Sequence, residues 1–518
     1  MKTCSIDYFE ETVKKFPDKL ALVYKDQRIS FSQLRAACRS LAISILNANQ
    51  DMTPHSPIGV FIGKSANAII GDISVSYTGN PYVNLDVTIP AERIASIVKK
   101  ISPVCILVEE SNKSKLEEII RIAEKESETN ILVIDQNMDH ALSEEEDQLL
   151  ADIQKVQIDV DPCCIITTSG STGTPKGIVM PHRNLADYTQ WAVDTFGFDE
   201  NTIDGNLSAT VFDHFVYETW LMMYTGATLV LLDSAMMLFP AKLLEVLEKE
   251  NVNYIFWVPS MMVNVANMDL LSKFELPYLK MIWFAGEVFP TKQFNYWRRH
   301  FPDATFVNLY GPAEITIDCT YYVANRELSD DEPIPIGNAC RNADVMVLND
   351  DMKICGEGET GEIYVRCTGV THGYYNDPEK TVGAFVQNPL HDHYPEIVYK
   401  TGDLGLINEY GEIVFKGRKD SLIKHMGIRI ELSEIEHAVI SRLKLAEYCC
   451  VVYNHDKKEI TLFYEADEDI SPAEFRKELM KLLPKYMIPV KYIRKDMLPK
   501  NTNGKIDRNA LNQEVNHG

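Results

Sequence analysis

No stretch of this 518-residue sequence stays apolar for the roughly 20 residues that a membrane-spanning helix needs. Its first residues, Met1-Lys2-Thr3-Cys4-Ser5-Ile6-Asp7-Tyr8, lack the apolar core of a secretion signal. A cytoplasmic protein without membrane insertion is expected. Positive charge is scarce: 51 Lys and Arg against 75 Asp and Glu leave a net charge of −24. Nucleic-acid affinity depends on neutralising phosphates, so a nucleic-acid partner is not expected. Patterned cysteine is missing too. The eleven cysteines are an odd number with no C-x-x-C pair, and Cys163-Cys164 and Cys449-Cys450 sit in apolar, strand-like runs. All are expected to be reduced core residues, with no disulfide framework and no metal framework. No internal repeat is evident.

What is present is the alternation of short apolar runs with charged helical segments. Ile58–Ile62, Val104–Val108, Ile131–Ile134, Thr228–Leu232 and Tyr254–Val258 read as buried strands, with Leu116–Glu126 and Ala241–Glu250 as helices between them. This predicts an α/β fold. The acidic run Ser143–Asp147 reads as a solvated loop or helix start. From about residue 340 the strands become short and turn-bounded, as in Gly361–Val365 and Gly411–Phe415. Past Gly417-Arg418-Lys419-Asp420 two helix starts are predicted, a capping box at Ser433-x-x-Glu436 and another at Ser471-Pro472-Ala473-Glu474. The expected organisation is a large α/β domain over residues 1–419 and a small α+β domain over 420–518.

The segment Thr167–Gly177, T-T-S-G-S-T-G-T-P-K-G, combines glycines, hydroxyl side chains and a lysine between two apolar runs. Glycines let backbone N–H groups converge into an anion-binding nest, so this segment predicts a polyphosphate cradle. It is not a Walker A loop, since G-x-x-x-x-G-K-[ST] does not occur in it. A flexible Gly/Ser linker is the plainer alternative.

Further segments come in order: Asn308-Leu309-Tyr310-Gly311-Pro312-Ala313-Glu314, Tyr399-Lys400-Thr401-Gly402-Asp403-Leu404, Gly417-Arg418-Lys419-Asp420, and Asn503-Gly504-Lys505-Ile506-Asp507-Arg508. Together they resemble the core motifs of adenylate-forming (AMP-binding) enzymes over nearly the whole chain. The likeness is greatest to amino-acid adenylation domains of nonribosomal peptide synthesis and to stand-alone D-alanine or glycine–carrier-protein ligases. The resemblance implies that a carboxylate is joined to the α-phosphate of ATP and the acyl group is then passed to a thiol. It implies that Thr168, Ser169, Ser171, Thr172 and Lys176 hold phosphates, and that Asn308 and Tyr310 hold adenine. It further implies that Asp403 and Arg418 hold ribose, and that Glu314 binds Mg²⁺. Lys505 would be the catalytic lysine, bridging carboxylate and α-phosphate from a mobile small domain hinged at Asp420. Two departures stand out. Ala313 replaces the usual threonine, with Thr316 or backbone as a substitute donor, and Lys424-His425-Met426-Gly427 differs from the usual basic segment.

By the same resemblance Asp213 pairs with the α-ammonium of an amino acid, although it is equally well placed to cap the helix after it. His214, Tyr217, Trp283, Ala285, Leu309, Ile317 and Asp318, with Met261, are the expected pocket residues. Large Tyr217 and Trp283 suggest a small substrate, glycine before alanine, whereas Asp318 leaves a basic amino acid open unless His214 pairs with it. Nothing resembling a carrier domain is read in this sequence, so a separate phosphopantetheinyl carrier protein is the expected acceptor, with coenzyme A the acceptor in the alternative of an acyl-CoA ligase, which Asp213 disfavours. Basic residues such as Arg476, Lys477, Lys481, Lys485, Lys491, Arg494, Lys495 and Lys500 offer to steer it, or else form a solvated face. Relatives of this kind serve cell-envelope modification (teichoic acid, lipid A) or peptide biosynthesis.

Overall fold

The structure, a computed structural model, describes residues 2–134, 141–168, 175–419, 422–446, 448–466, 468–499 and 506–517. Ser169, Ser171, Thr172, Asp420 and Lys505 lie outside the described residues.

The predicted apolar runs pair largely as parallel strands, as runs buried on both faces must. One sheet has the order Asn130–Val133, Cys105–Val108, Ile58–Phe61, Tyr82–Asn84, Pro162–Thr168, Lys176–Pro181, parallel except for its last pair. A nine-stranded sheet carries Thr305–Tyr310, Met281–Ala285, Tyr254–Trp257, Ile203–Asn206, Thr228–Leu231 and Leu20–Tyr24 as a parallel centre, with antiparallel edges. Ile203–Asn206 lies between Tyr254–Trp257 and Thr228–Leu231, so the chain leaves it at a point where the order of winding reverses. Crevices beyond the carboxyl ends of strands at such points are where α/β folds bind ligands. A third, antiparallel sheet is built on the long strand Ile397–Ile407, flanked by Thr360–Cys367, Phe385–Gln387 and Ile413–Arg418.

From Leu422 onward, a two-stranded ribbon (Leu422–His425 with Ile428–Glu431) and a three-stranded sheet (Tyr448–Asn454, Glu459–Glu465, Lys491–Arg494) enclose apolar clusters of their own. Ser471 caps Pro472–Leu479 as its sequence predicts, its hydroxyl accepting from the Glu474 N–H. The Ser433 box does not form. The helix Leu432–His437 begins two residues earlier than a cap at Ser433 would place it, with Glu431 at its cap and no side-chain cap bond. Glu436 instead accepts from the Val451 N–H at 2.7 Å and from Arg508 at 2.7 Å. A charge-assisted bond is roughly twice as strong as a neutral one, so this tertiary pairing outweighs a local cap.

The acidic run proves to be a helix start, Glu144–Val156, capped by Ser143. All eleven cysteines are free thiols, and ten are buried. Among the described residues no helix is long and apolar enough to cross a membrane.

Candidate active site

A cavity of about 480 Å³ opens where the end of Pro162–Thr168, the loop after Ile203–Asn206 and the ribbon Leu422–Glu431 converge. Of the residues expected from sequence, Thr168, Asp213 and His214 line it, together with Ala313. The ribbon contributes Lys424, Gly427 and Arg429 from the opposite side. Gly427 has φ +77°, and a Cβ there would collide with the side chain of Val258, so only glycine lets the ribbon come this close.

Asp213 is the first residue of the helix Asp213–Thr225, preceded by Phe212 at the cap. Its Oδ1 accepts from the His214 N–H at 3.0 Å rather than capping a later turn. Burial pushes its pKa up to about 6, opposed by that N–H and by the Lys424 ammonium. Its neighbour His214 stacks on Phe256 at 4.2 Å, and burial lowers its pKa to about 3, leaving it neutral.

Behind this pair the remaining pocket residues are packed solid. Trp283 is fully buried, lies parallel to Tyr217 at 5.9 Å, and meets Phe196, Phe198, Tyr254 and Phe256 edge-on. Ala285, Leu309 and Ile317 are buried and do not line the cavity. Met261 belongs to a different apolar cluster. Asp318 does not pair with His214. Its Oδ2 accepts from the Tyr188 hydroxyl at 3.0 Å, and burial followed by the nearby Asp213 raises its pKa well above the carboxylate range.

On the third sheet, Asp403 and Arg418 face each other across neighbouring strands and pair at 2.7 Å. The second Asp403 oxygen accepts from the Tyr310 hydroxyl at 2.6 Å. Asn308, on the same strand as Tyr310, donates to the Pro335 carbonyl at 2.7 Å. Lys176 lies 5.2 Å from the Tyr374 ring, with its pKa lowered by burial and then by Arg429.

Glu314 sits in the turn Ala313–Ile315, which the next two residues, Thr316 and Ile317, leave at φ +64° and +66°. Such values are strained for β-branched side chains, and they hold only because the surroundings fix them. Gly311, without a Cβ, admits the returning Ile317-Asp318 backbone. Thr316 Oγ donates to the Gly369 carbonyl at 2.8 Å and accepts from Asn184, so it is committed to the fold rather than standing in for the threonine absent at 313.

The Glu314 carboxylate is fully buried. One oxygen accepts from the Tyr374 hydroxyl at 2.8 Å, the other from Arg429 at 2.7 Å. Burial alone would raise its pKa, but Arg429 and Tyr374 hold it down at about 2. Among the described residues no group of three or more His, Cys, Asp and Glu could cage a metal. A single ionised carboxylate whose charge acts on Lys176 does suit Mg²⁺, which takes one or two carboxylates together with phosphates.

Sequence reasoning missed four contributions from beyond residue 421. Lys424 lies 5.7 Å from the Tyr310 ring with its pKa lowered by burial. Arg429 reaches Glu314. Across the same junction, Glu287 accepts from the Gly427 N–H at 2.7 Å, and Arg93 forms a buried ion pair with Glu434. The alternation Ile428-Arg429-Ile430-Glu431 marks a strand, yet nothing in it says which element the polar face meets.

Residues 9–375 match the family model described as AMP-binding enzyme, and the chain belongs to that family. It is 30% identical to the D-alanine--D-alanyl carrier protein ligase of Bacillus cereus (strain G9842), over 98% of this chain and 99% of that one. It is also 30% identical, over 98% of its length, to Gramicidin S synthase 2 of Brevibacillus brevis, of which it spans 11%. Among solved structures, the Vibrio cholerae adenylation domain AlmE in complex with glycyl-adenosine-5'-phosphate shares the fold, with a TM-score of 0.84 at 21% identity over 99% of this chain and 97% of that one.

Proposed function

We propose that this chain is an AMP-forming amino-acid–carrier-protein ligase, with a large domain over residues 1–419 and a small one over 420–518. The observation that carries the reading is Asp213, a deep-seated carboxylate opening onto the same cavity as Thr168 at the end of the phosphate-type segment. A buried carboxylate calls for a cationic partner, which the α-ammonium of an amino acid supplies and a fatty or aryl acid does not.

In the first step an oxygen of the amino-acid carboxylate attacks the α-phosphorus of ATP, and the bond to pyrophosphate breaks. Both reactants are anionic, so oriented cations must lower the barrier. Lys176 and the hydroxyls of Thr168, Ser169, Ser171 and Thr172 hold the departing phosphates, and Lys505 bridges carboxylate and α-phosphate. Asp403 with Arg418 positions ribose, while Asn308 and Tyr310 frame adenine. Glu314 would hold Mg²⁺, which when bound would supply neutralising charge to the phosphates. In the second step the phosphopantetheine thiol of a separate carrier protein loses its proton and attacks the aminoacyl carbonyl, and AMP leaves.

Glycine is the preferred substrate in this reading, and alanine the second. The aromatic packing behind His214 and Phe256 supports it, since Tyr217 and Trp283 stack there and neither lines the cavity. Asp318, bonded to Tyr188 and driven toward its neutral form, is a poor partner for ornithine or lysine.

ATP–pyrophosphate exchange across glycine, D- and L-alanine, serine and ornithine tests the proposal. Exchange is expected with glycine first, and is expected to vanish in Lys505→Ala while ATP still binds. Exchange with a fatty acid and with no amino acid would overturn it.

A further inference from the structure

Glu314 never lacks a cation in this arrangement, and the cation comes from a distant part of the chain. Arg429 lies on the ribbon strand Ile428–Glu431, 115 residues further on, and places its guanidinium 2.7 Å from Glu314 Oε2. Its side chain is only 17% exposed and that of Glu314 is 0% exposed, so the pair is almost wholly removed from water. The Tyr374 hydroxyl holds the other oxygen, and the Arg429 charge also reaches Lys176 and Tyr399. Arg429 therefore contacts the Glu314 carboxylate and also acts on Lys176, the lysine that closes the phosphate-type segment.

The role assigned to Arg429 rests on the proposed function, which makes Glu314 the carboxylate that meets Mg²⁺. A guanidinium and a divalent cation on the same buried carboxylate would repel each other at close range, where little water screens them. A buried carboxylate left with neither is equally unfavourable. We propose that Arg429 and the metal are alternative counter-ions of Glu314. Arg429 neutralises Glu314 while the phosphate side of the site holds no metal, and gives it up when metal and nucleotide load. Arg429 belongs to the ribbon, and the ribbon carries Lys424 and Gly427 into the cavity. Withdrawal of Arg429 therefore loosens the C-terminal segment from the large domain, and its return on loss of metal and pyrophosphate draws that segment back. One carboxylate thus reports the state of the phosphate site to the part of the chain that must rearrange between the two steps.

Two measurements on the full-length protein test this without turnover. The first is Mn²⁺ affinity by electron paramagnetic resonance in the presence of α,β-methylene-ATP, which is not cleaved at the reacting bond. Arg429→Gln is expected to bind Mn²⁺ about tenfold more tightly than the parent, and Arg429→Lys to fall between. Glu314→Gln should weaken Mn²⁺ binding and erase the difference between the Arg429 variants and the parent. The second is energy transfer between dyes on Glu145→Cys and Lys477→Cys, both at exposed positions on opposite sides of the junction. Mn²⁺ with the nucleotide should change the transfer in the parent, and Arg429→Gln should show part of that change with no metal present. Unchanged Mn²⁺ affinity in both Arg429 variants overturns the proposal. So does weaker affinity, which would make Arg429 a phosphate ligand instead. Neither measurement contains an amino acid, so absence of amino-acid exchange would sink the ligase reading while leaving this result intact.

Discussion

At the scale of single residues, the chemistry of the site is set by how burial treats each ionisable group. Glu314 and Asp213 are both deep carboxylates, yet Arg429 holds one down at about 2 while the other is left at about 6. His214, lowered to about 3, stays neutral through the range in which Asp213 titrates. Asp213 thus gains its charge as pH rises through about 6, and an ammonium substrate needs that charge. The kcat/KM for the amino acid, which reports the free enzyme, is expected to fall about tenfold per pH unit below about 6. Pyrophosphate exchange measured from pH 5 to 8 checks this. Asp213→Asn should lose that dependence, along with about 100-fold or more of kcat/KM, in keeping with the 2–5 kcal/mol typical of truncating a buried charge pair. An unshifted pH profile in the variant would mean that another group controls substrate binding.

Among the elements, the strand Met281–Ala285 and the helix Asp213–Thr225 stack Trp283 on Tyr217 behind the cavity, and in the proposed function these rings limit what the pocket admits. The cavity wall itself is His214 on Phe256. His214→Ala removes the outer ring of that stack without disturbing Trp283, and is expected to raise exchange with alanine relative to glycine. Trp283→Ala opens more space but leaves a core cavity, at a cost of about 3–5 kcal/mol. It should therefore lower the thermal midpoint more than it broadens specificity, a contrast that parallel melting and exchange measurements will show. Strands and helices were legible in the sequence where apolar period and capping residues are local, as at Ser471, whereas the run from Ser143 left a loop or a helix start open. The Ser433 box looks the same in sequence, yet it does not form, because Glu436 is claimed by Arg508 from the far end of the chain.

Over the whole molecule, the C-terminal segment is held by ion pairs that the sequence does not announce. Arg93 with Glu434 and Arg429 with Glu314 each join groups more than a hundred residues apart, and both pairs are largely buried. Removing one partner of a buried pair costs about 3–5 kcal/mol, whereas replacing both by apolar groups is often neutral. Arg93→Ala is accordingly expected to make the region joining the two parts more sensitive to trypsin, and Arg93→Met combined with Glu434→Leu to restore protection. Equal digestion rates in parent and Arg93→Ala would show that this pair does not hold the junction.

The sequence by itself determined the α/β strand pattern, because that depends on local period, and its ordered motif residues carried the resemblance that implied the family and the candidate role of Asp213. Only the tertiary structure decided that Trp283 and Tyr217 pack against each other, that Asp318 turns to Tyr188, that Thr316 is committed to Gly369, and that Arg429 meets Glu314. Each of these is a choice of partner for a buried ring, hydroxyl or charge. Burial makes every such group seek a partner, and only the fold determines which one lies within reach.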